Sequence, residues 1–400
     1  MKRRAVVFAS AIVAACGSKE PKLAEPIVTT LPNGAVEVQN SGPSAWVDTM
    51  GWKLVEVYRV GGSTATGPEE LVHPLSVAVD QAGGIYVGNM GPAVVKQFGP
   101  TGAYVRSIGR EGSGPGEFKV SFVATAPGLL VVHDPGTART SVFDSAGGFL
   151  RSWNSACCSW RAIGVSREGV IAVPSLGHRT GPGDRGDAYY VRNSLDGTLV
   201  DTLHIAGPEG VGEPGRWSFE SANGNQYFVP VPLTSAVSMA LDPAGGAVMG
   251  WSGAYRFVVT RTGLDTTQVV ILEASPVTVT DAQRIHLRDS LVELYSDGEA
   301  DRQATEEAFK LADIPSTAPY FESIAVDGSG NRWVRRIGGT GPGSARFDVF
   351  DSTGSYLGAV PVPVEFGAAW KTAWGTDRVA TMVEDKDGFP VVVVYGIEKP

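Results

Sequence analysis

Three cysteines in 400 residues, Cys16, Cys157 and Cys158, are too few for a disulfide scaffold. The five histidines (His73, His133, His178, His204 and His286) lie on separate segments, with no HxH or HExxH pair to make a local metal motif. No GxSxG elbow occurs, so serine-hydrolase chemistry has no local support. The glycine-rich GREGSGPG (109–116) lacks the Lys-Ser/Thr ending of a phosphate loop and the helix pattern that would follow it. Past Arg4 there is no run of Lys or Arg, and 33 basic residues face 42 acidic ones, a formal charge of −9. Nucleic acid requires a basic face, so that class of partner is excluded.

Glycine and proline, by contrast, are plentiful. They number 51 and 26, without a collagen period, which points to many short elements joined by tight turns. With 43% hydrophobic residues the chain can bury a large core. The composition reads as all-β.

MKRRAVVFASAIVAA (1–15) sets Lys2, Arg3 and Arg4 before an apolar run too short to span a bilayer as a helix, the pattern of a signal peptide. The following VAACGS resembles the lipobox of bacterial lipoproteins. That resemblance implies cleavage before Cys16, lipidation of its thiol and acylation of the new N-terminus, and several acyl chains anchor firmly. Gly17, where an aspartate would signal retention, resembles lipoproteins sent to the outer membrane. Residues 16–33, which include KEPKLAEP (19–26), read as a lipid-anchored tether. The expected location is the bacterial cell envelope, at the outer membrane, facing periplasm or exterior, with membrane contact through the anchor alone. Losing residues 1–15 removes three cations and no anions, leaving 30 basic against 42 acidic residues, a formal −12.

SVAVDQAGGIYVGNMGPAVVKQFGPTGAYVRSIG (76–109) contains four alternating or apolar runs separated by glycine turns, which read as strands a to d. The phrase returns at 123–153, 163–207 and 237–272, and two further copies begin at 323–336 and 379–394. The last copy is read as strands a and b, its missing c and d supplied by GAVEVQN (34–40) and KLVEVYRVG (53–61). These repeats look like NHL-type repeats, and residues 34–397 resemble six-bladed β-propellers of the NHL and TolB-like kind. The resemblance implies one propeller domain over 34–400, closed by N- and C-terminal strands so that no sheet edge needs a partner, with a monomer as the default. It is specific for fold and silent on function.

Between the fourth and fifth copies, 277–315 breaks the pattern. Thr280 with Gln283 three residues on reads as a capping box, and two short helices are expected within about 279–313, packed on the propeller rim. Ile285, Leu291, Leu294 and Tyr295 can share one face of a helix, and Ala304, Ala308 and Leu311 a second. The insert reads as a rim stiffener, a lid or a partner-docking element.

The a-to-b turns are minimal (QAGG, APG, REG, PAGG, GSGN and DKDG), whereas long connections at 109–118, 175–188, 207–219 and 335–345 belong to the opposite face. Long loops on a rigid scaffold carry binding sites. Asn89, His133, Asp134, Trp251, Arg335 and Arg336 fall at the ends of strands b, and His73 and Glu117 just before strands a. They are expected to converge at the channel mouth as ligand-binding residues. The expectation is a binding or scaffold module for a peptide, glycan or protein, with no catalytic residue and no cofactor assigned. The competing reading follows from resembling propellers that hydrolyse lactones or cleave amidated glycine derivatives with a divalent metal. Here its ligands would have to come from separate blades.

SACCSW (155–160) falls in the connection between the second and third copies. With Cys16 lipidated, Cys157 and Cys158 have only each other within the chain, in an oxidising compartment. Their Cα atoms lie about 3.8 Å apart, below the usual disulfide range of about 4.4–6.8 Å, so a vicinal bond would be strained. Vicinal disulfide, two free or buried thiols, and metal or intermolecular bonding all stay open.

Overall fold

The computed structural model describes residues 25–42, 44, 46, 51–155, 159, 161–176, 188–205, 215–337 and 345–400. The chain is a six-bladed β-propeller. Blade one holds Pro74–Val79, Ile85–Asn89, Val95–Phe98 and Tyr104–Ile108 as strands a to d, in that spatial order from the centre outward. Blade two is built in the same way from residues 122–154, blade three from 164–204 and blade five from 323–361. In blade four, strands a to d run from Val237–Leu241 to Gln268–Leu272.

The hydrophobic core is divided into layers between neighbouring blades. Ile85 and Val87 of blade one meet Ala380, Met382, Val392 and Val394 of blade six. On the other side, Tyr86 and Val95 meet Val123, Leu130 and Val132 of blade two. A strand b buried on both faces needs an almost unbroken apolar run, and Ile85–Asn89 is buried at every residue. The outermost Tyr104–Ile108 alternates instead, because one face meets water.

Six turns share one chemistry. Asp80, Asp144, Asp242, Asp327, Asp351 and Asp385 each accept the amide of the residue two positions on through Oδ1. The glycine three positions on has φ between 82° and 100° in all six, a region where a side chain is strained. The D-x-x-G phrase therefore writes a hairpin.

Blade six closes the ring, with strands drawn differently from the sequence reading. The C-terminal part supplies Thr372–Trp374, Arg378–Glu384 and Pro390–Glu398 as a, b and c, and Lys53–Gly61 alone is d. The copy read at 379–394 is thus strands b and c, and DKDG is a b-to-c hairpin. Val36–Asn40 does not enter this blade. It pairs in parallel with Gln268–Leu272 on the outer edge of blade four, Val38 opposite Val270, and Ile27–Thr30 folds back on it. The N-terminal chain then crosses blade five, where Ser44 and Trp46 bond the Leu357 carbonyl, before reaching blade six.

The insert forms two helices, α1 (Asp281–Tyr295) and α2 (Glu299–Ala308), and the Thr280–Gln283 capping box is present. They pack on a hairpin, Arg216–Glu220 with Gln226–Pro230, that the repeat reading did not resolve. Trp217, Phe219 and Val229 of the hairpin share a separate small core with Val292, Phe309 and Ile314. Leu291, Tyr295, Ala304, Ala308 and Leu311 border that core, whereas Ile285 and Leu294 face solvent. No helix among the described residues is long and apolar enough to cross a membrane.

Candidate functional site

Successive antiparallel strands put the a-to-b and c-to-d turns on one face, here called lower, and the b-to-c and d-to-a connections on the upper face. The lower face is stapled shut from blade to blade. The Arg167 amide donates to the Pro243 carbonyl and its guanidinium to Gly328, joining blade three to blades four and five. The Gly328 amide bonds Gly375 of blade six, whose Arg378 reaches the Gly83 and Pro100 carbonyls of blade one. The longer connections leave from the upper face, and the hairpin and helices of the insert also emerge there.

The predicted site residues lie at or beside the upper ends of strands, and several of their side chains point in different directions. Alternation along each strand decides where a side chain points. Asn89 shares a strand face with Ile85 and Val87, which pack toward blade six, and its buried Oδ1 has no hydrogen-bond partner among the described residues. His133 alternates with Val131 toward blade three. Its fully buried ring lies 3.2 Å from Thr140 Oγ1 through Nδ1, while Nε2 has no partner among the described residues. Burial depresses its pKa to about 4. Asp134 points the other way, toward blade one, and accepts the amides of Lys119 and Gly136 and the Thr137 hydroxyl, which caps its own loop.

Glu117 also serves its own loop. It binds Arg110 and the Gly114 amide, and the Gly114 hydrogen bond first, then Arg110, hold its carboxyl below the usual range. Trp251 is half-buried, with its ring lying where a Cβ on Gly253 would sit, so only glycine fits there. Arg335 turns toward blade six, donating to the Gly367 carbonyl beneath Phe366. Arg336 turns toward blade four, over the Tyr255 ring and 3.7 Å from Asp348. His73 is exposed with φ of 48°, and its carbonyl accepts the Met90 amide. Cys16, Cys157 and Cys158 lie outside the described residues, as does most of the 175–188, 207–219 and 335–345 connections. Among the described residues, no three His, Cys, Asp or Glu side chains are assembled as a metal site.

The upper face also carries exposed apolar side chains that the sequence reading passed over. Val364, Trp370 and Phe389 of blade six are 96%, 64% and 51% exposed, and Met90, on the b-to-c connection of blade one, is 37% exposed. At the lower end Leu264, on a turn, and Leu199, directly after one, are comparably exposed among the described residues. A depression of about 310 Å³ also opens on the upper side of blade four, lined by Tyr255, Arg256, Ile271, Glu273 and Tyr320. Beneath it the Tyr255 hydroxyl joins the buried Asp348.

No family model matches the chain, and no curated protein matches it. Solved structures do. A member of the DUF4221 family from Bacteroides vulgatus aligns with a TM-score of 0.42 at 11% identity, covering 87% of this chain and 99% of that one. A putative exported protein from Bacteroides fragilis gives 0.44 at 12%, covering 91% and 100%. The PQQ-bound aldose sugar dehydrogenase from Streptomyces coelicolor gives 0.41 at 13%, covering 89% and 100%. At this distance the likeness concerns architecture alone, and function has to be argued from the site.

Proposed function

We propose that this chain is a monomeric envelope propeller that binds a peptide, glycan or protein through its upper face. The observation that carries the reading is the asymmetry of the two faces. The lower face is closed by short hairpins and inter-blade arginine staples, and the upper face carries the exposed Val364, Trp370 and Phe389. Large apolar side chains left exposed on one face of a folded domain mark a contact surface. The polar residues singled out from the sequence act mainly between blades or inside their own loops, which favours binding over catalysis. Binding of peptide and oligosaccharide panels to the full chain tests this. The expected result is a hit weakened by Trp370→Ala or Phe389→Ala and indifferent to Leu264→Ala; a hit sensitive only to Leu264→Ala overturns it. Stoichiometric metal in the purified protein would favour the hydrolase or lyase reading.

The lipobox supports anchoring through Cys16 at the outer membrane. A labelled fatty acid should mark the wild type and miss Cys16→Ser, and equal labelling would refute the anchor. Cys157 and Cys158 are read as a vicinal disulfide, so the unfolded, unreduced protein should titrate no free thiol from this pair.

A further inference from the structure

The upper surface of blade six has a chemistry that selects among partners, and the inference drawn from it rests on the reading that this face binds. Three segments meet there. The connection from blade five carries Val364, Glu365, Trp370 and Lys371, and the b-to-c hairpin carries Glu384 to Phe389. The chain leaving strand d carries Ser63, whose amide and hydroxyl donate to Asp385 and Asp387 of that hairpin, and continues to the exposed Glu69 and Glu70. The first two segments are fixed to each other, because the Gly367 amide donates to Thr381 Oγ1 on strand b.

Charge on these segments is one-sided. Residues 59–70, 364–371 and 384–389 hold six carboxylates against Arg59, Lys371 and Lys386. Two of the three cations are engaged locally: Arg59 bonds Glu56 and Glu365, and the Lys371 ammonium lies 5.0 Å over the Trp370 ring. What remains is three exposed apolar side chains on segments rich in carboxylates, with Lys96 of blade one reaching in to the Glu70 carbonyl. Such a surface repels anionic lipid and nucleic acid and attracts positive charge.

We propose that blade six docks a cationic peptide segment, with apolar or aromatic side chains of that segment laid over Trp370 and Phe389 and its Lys or Arg residues facing Glu384, Asp387 and Glu69. The apolar contact supplies the anchor, since exposed tryptophans dominate interface energetics. The carboxylates set partner choice and association rate, which makes binding salt-sensitive.

The test uses three fluorescent peptides of equal length on the full chain: Lys and Arg alternating with Trp and Leu, the same cations alternating with Ser, and Glu alternating with Trp and Leu. The first should bind best and weaken at high salt. Trp370→Ala and Phe389→Ala should each weaken it about tenfold, and Asp387→Asn should weaken it less and reduce its salt dependence. Leu264→Ala, on the opposite face, should leave it unchanged. Absence of saturable binding, equal binding of the Glu peptide, or indifference to Trp370→Ala overturns the proposal. An uncharged peptide or oligosaccharide that binds best and is lost in Trp370→Ala overturns the cationic partner and leaves the upper-face reading standing. Unchanged thermal unfolding of the exposed-site variants separates lost contact from lost fold.

Discussion

The Tyr255 hydroxyl of blade four donates to the buried Asp348 carboxylate of blade five at 2.7 Å. Tyr356 donates to the same carboxylate at 3.1 Å, and Arg346 and Arg336 lie 3.4 and 3.7 Å away. One carboxylate thus holds together two tyrosines and two guanidinium groups between blades. Asp348→Ala leaves buried polar groups unpaired, and we expect a loss of about 3–5 kcal/mol in denaturant unfolding. A loss under about 1 kcal/mol, the worth of an exposed pair, would contradict the role given to this cluster.

His133 predicts an acid limit. Its pKa is about 4 when folded against 6.5 for the free side chain, because burial penalises the charged ring. The unfolded chain therefore takes up the proton first, so stability is full above pH 6.5 and falls as pH drops toward 4. A depression of this size corresponds to about 3 kcal/mol. Unfolding free energy followed across that window should fall more steeply for the wild type than for His133→Gln, and parallel slopes would show that His133 does not limit acid stability.

The aspartate turns should differ in weight. Asp327 is fully buried and accepts the Ser329 and Asn331 amides, Asn331 Nδ2 and Trp333 Nε1. Asp351 repeats the amide contacts at a partly exposed hairpin. Asp327→Ala is expected to cost about 3 kcal/mol and Asp351→Ala about 1 kcal/mol. Equal costs would mean that the turn itself, and not the buried acceptor, dominates.

These turns also explain how the sequence was both informative and misleading. D-x-x-G marks a hairpin at Asp80, Asp242 and Asp327 between strands a and b, at Asp144 and Asp351 between c and d, and at Asp385 between b and c. The phrase reveals that a hairpin exists and carries no record of which pair it joins. Blade six was therefore read one strand out of step, and its DKDG hairpin was counted among the a-to-b turns. Its true strand a, Thr372–Trp374, has three residues and too little pattern to notice. The parallel pairing of Val36–Asn40 has no connecting turn, so nothing local announces it. Asn89, His133 and Arg335 were located correctly on strand ends, yet their directions depend on alternation counted from a register that only the assembled blades supply.

The helices and the hairpin should behave as one unit. Trp217 stacks on Phe309 at 4.6 Å between ring centroids, and the Asp301 carboxylate accepts the Ala222 amide. Phe309→Ala should raise hydrogen exchange in α1, α2 and residues 216–230 together, with blades one and two unchanged, because the cavity belongs to a separate core. Exchange confined to α2 would contradict the shared core.

The central claim is that this propeller meets its ligand through the upper face, and photo-crosslinking in the native cell tests it most directly. A photoreactive residue is placed in turn at Trp370, Phe389 and Met90 above, and at Leu264, Pro100 and Ala146 below, with adducts read by mass spectrometry. The account predicts adducts from the first three positions and none from the second three. Adducts from the lower positions alone, or equally from both faces, would contradict it.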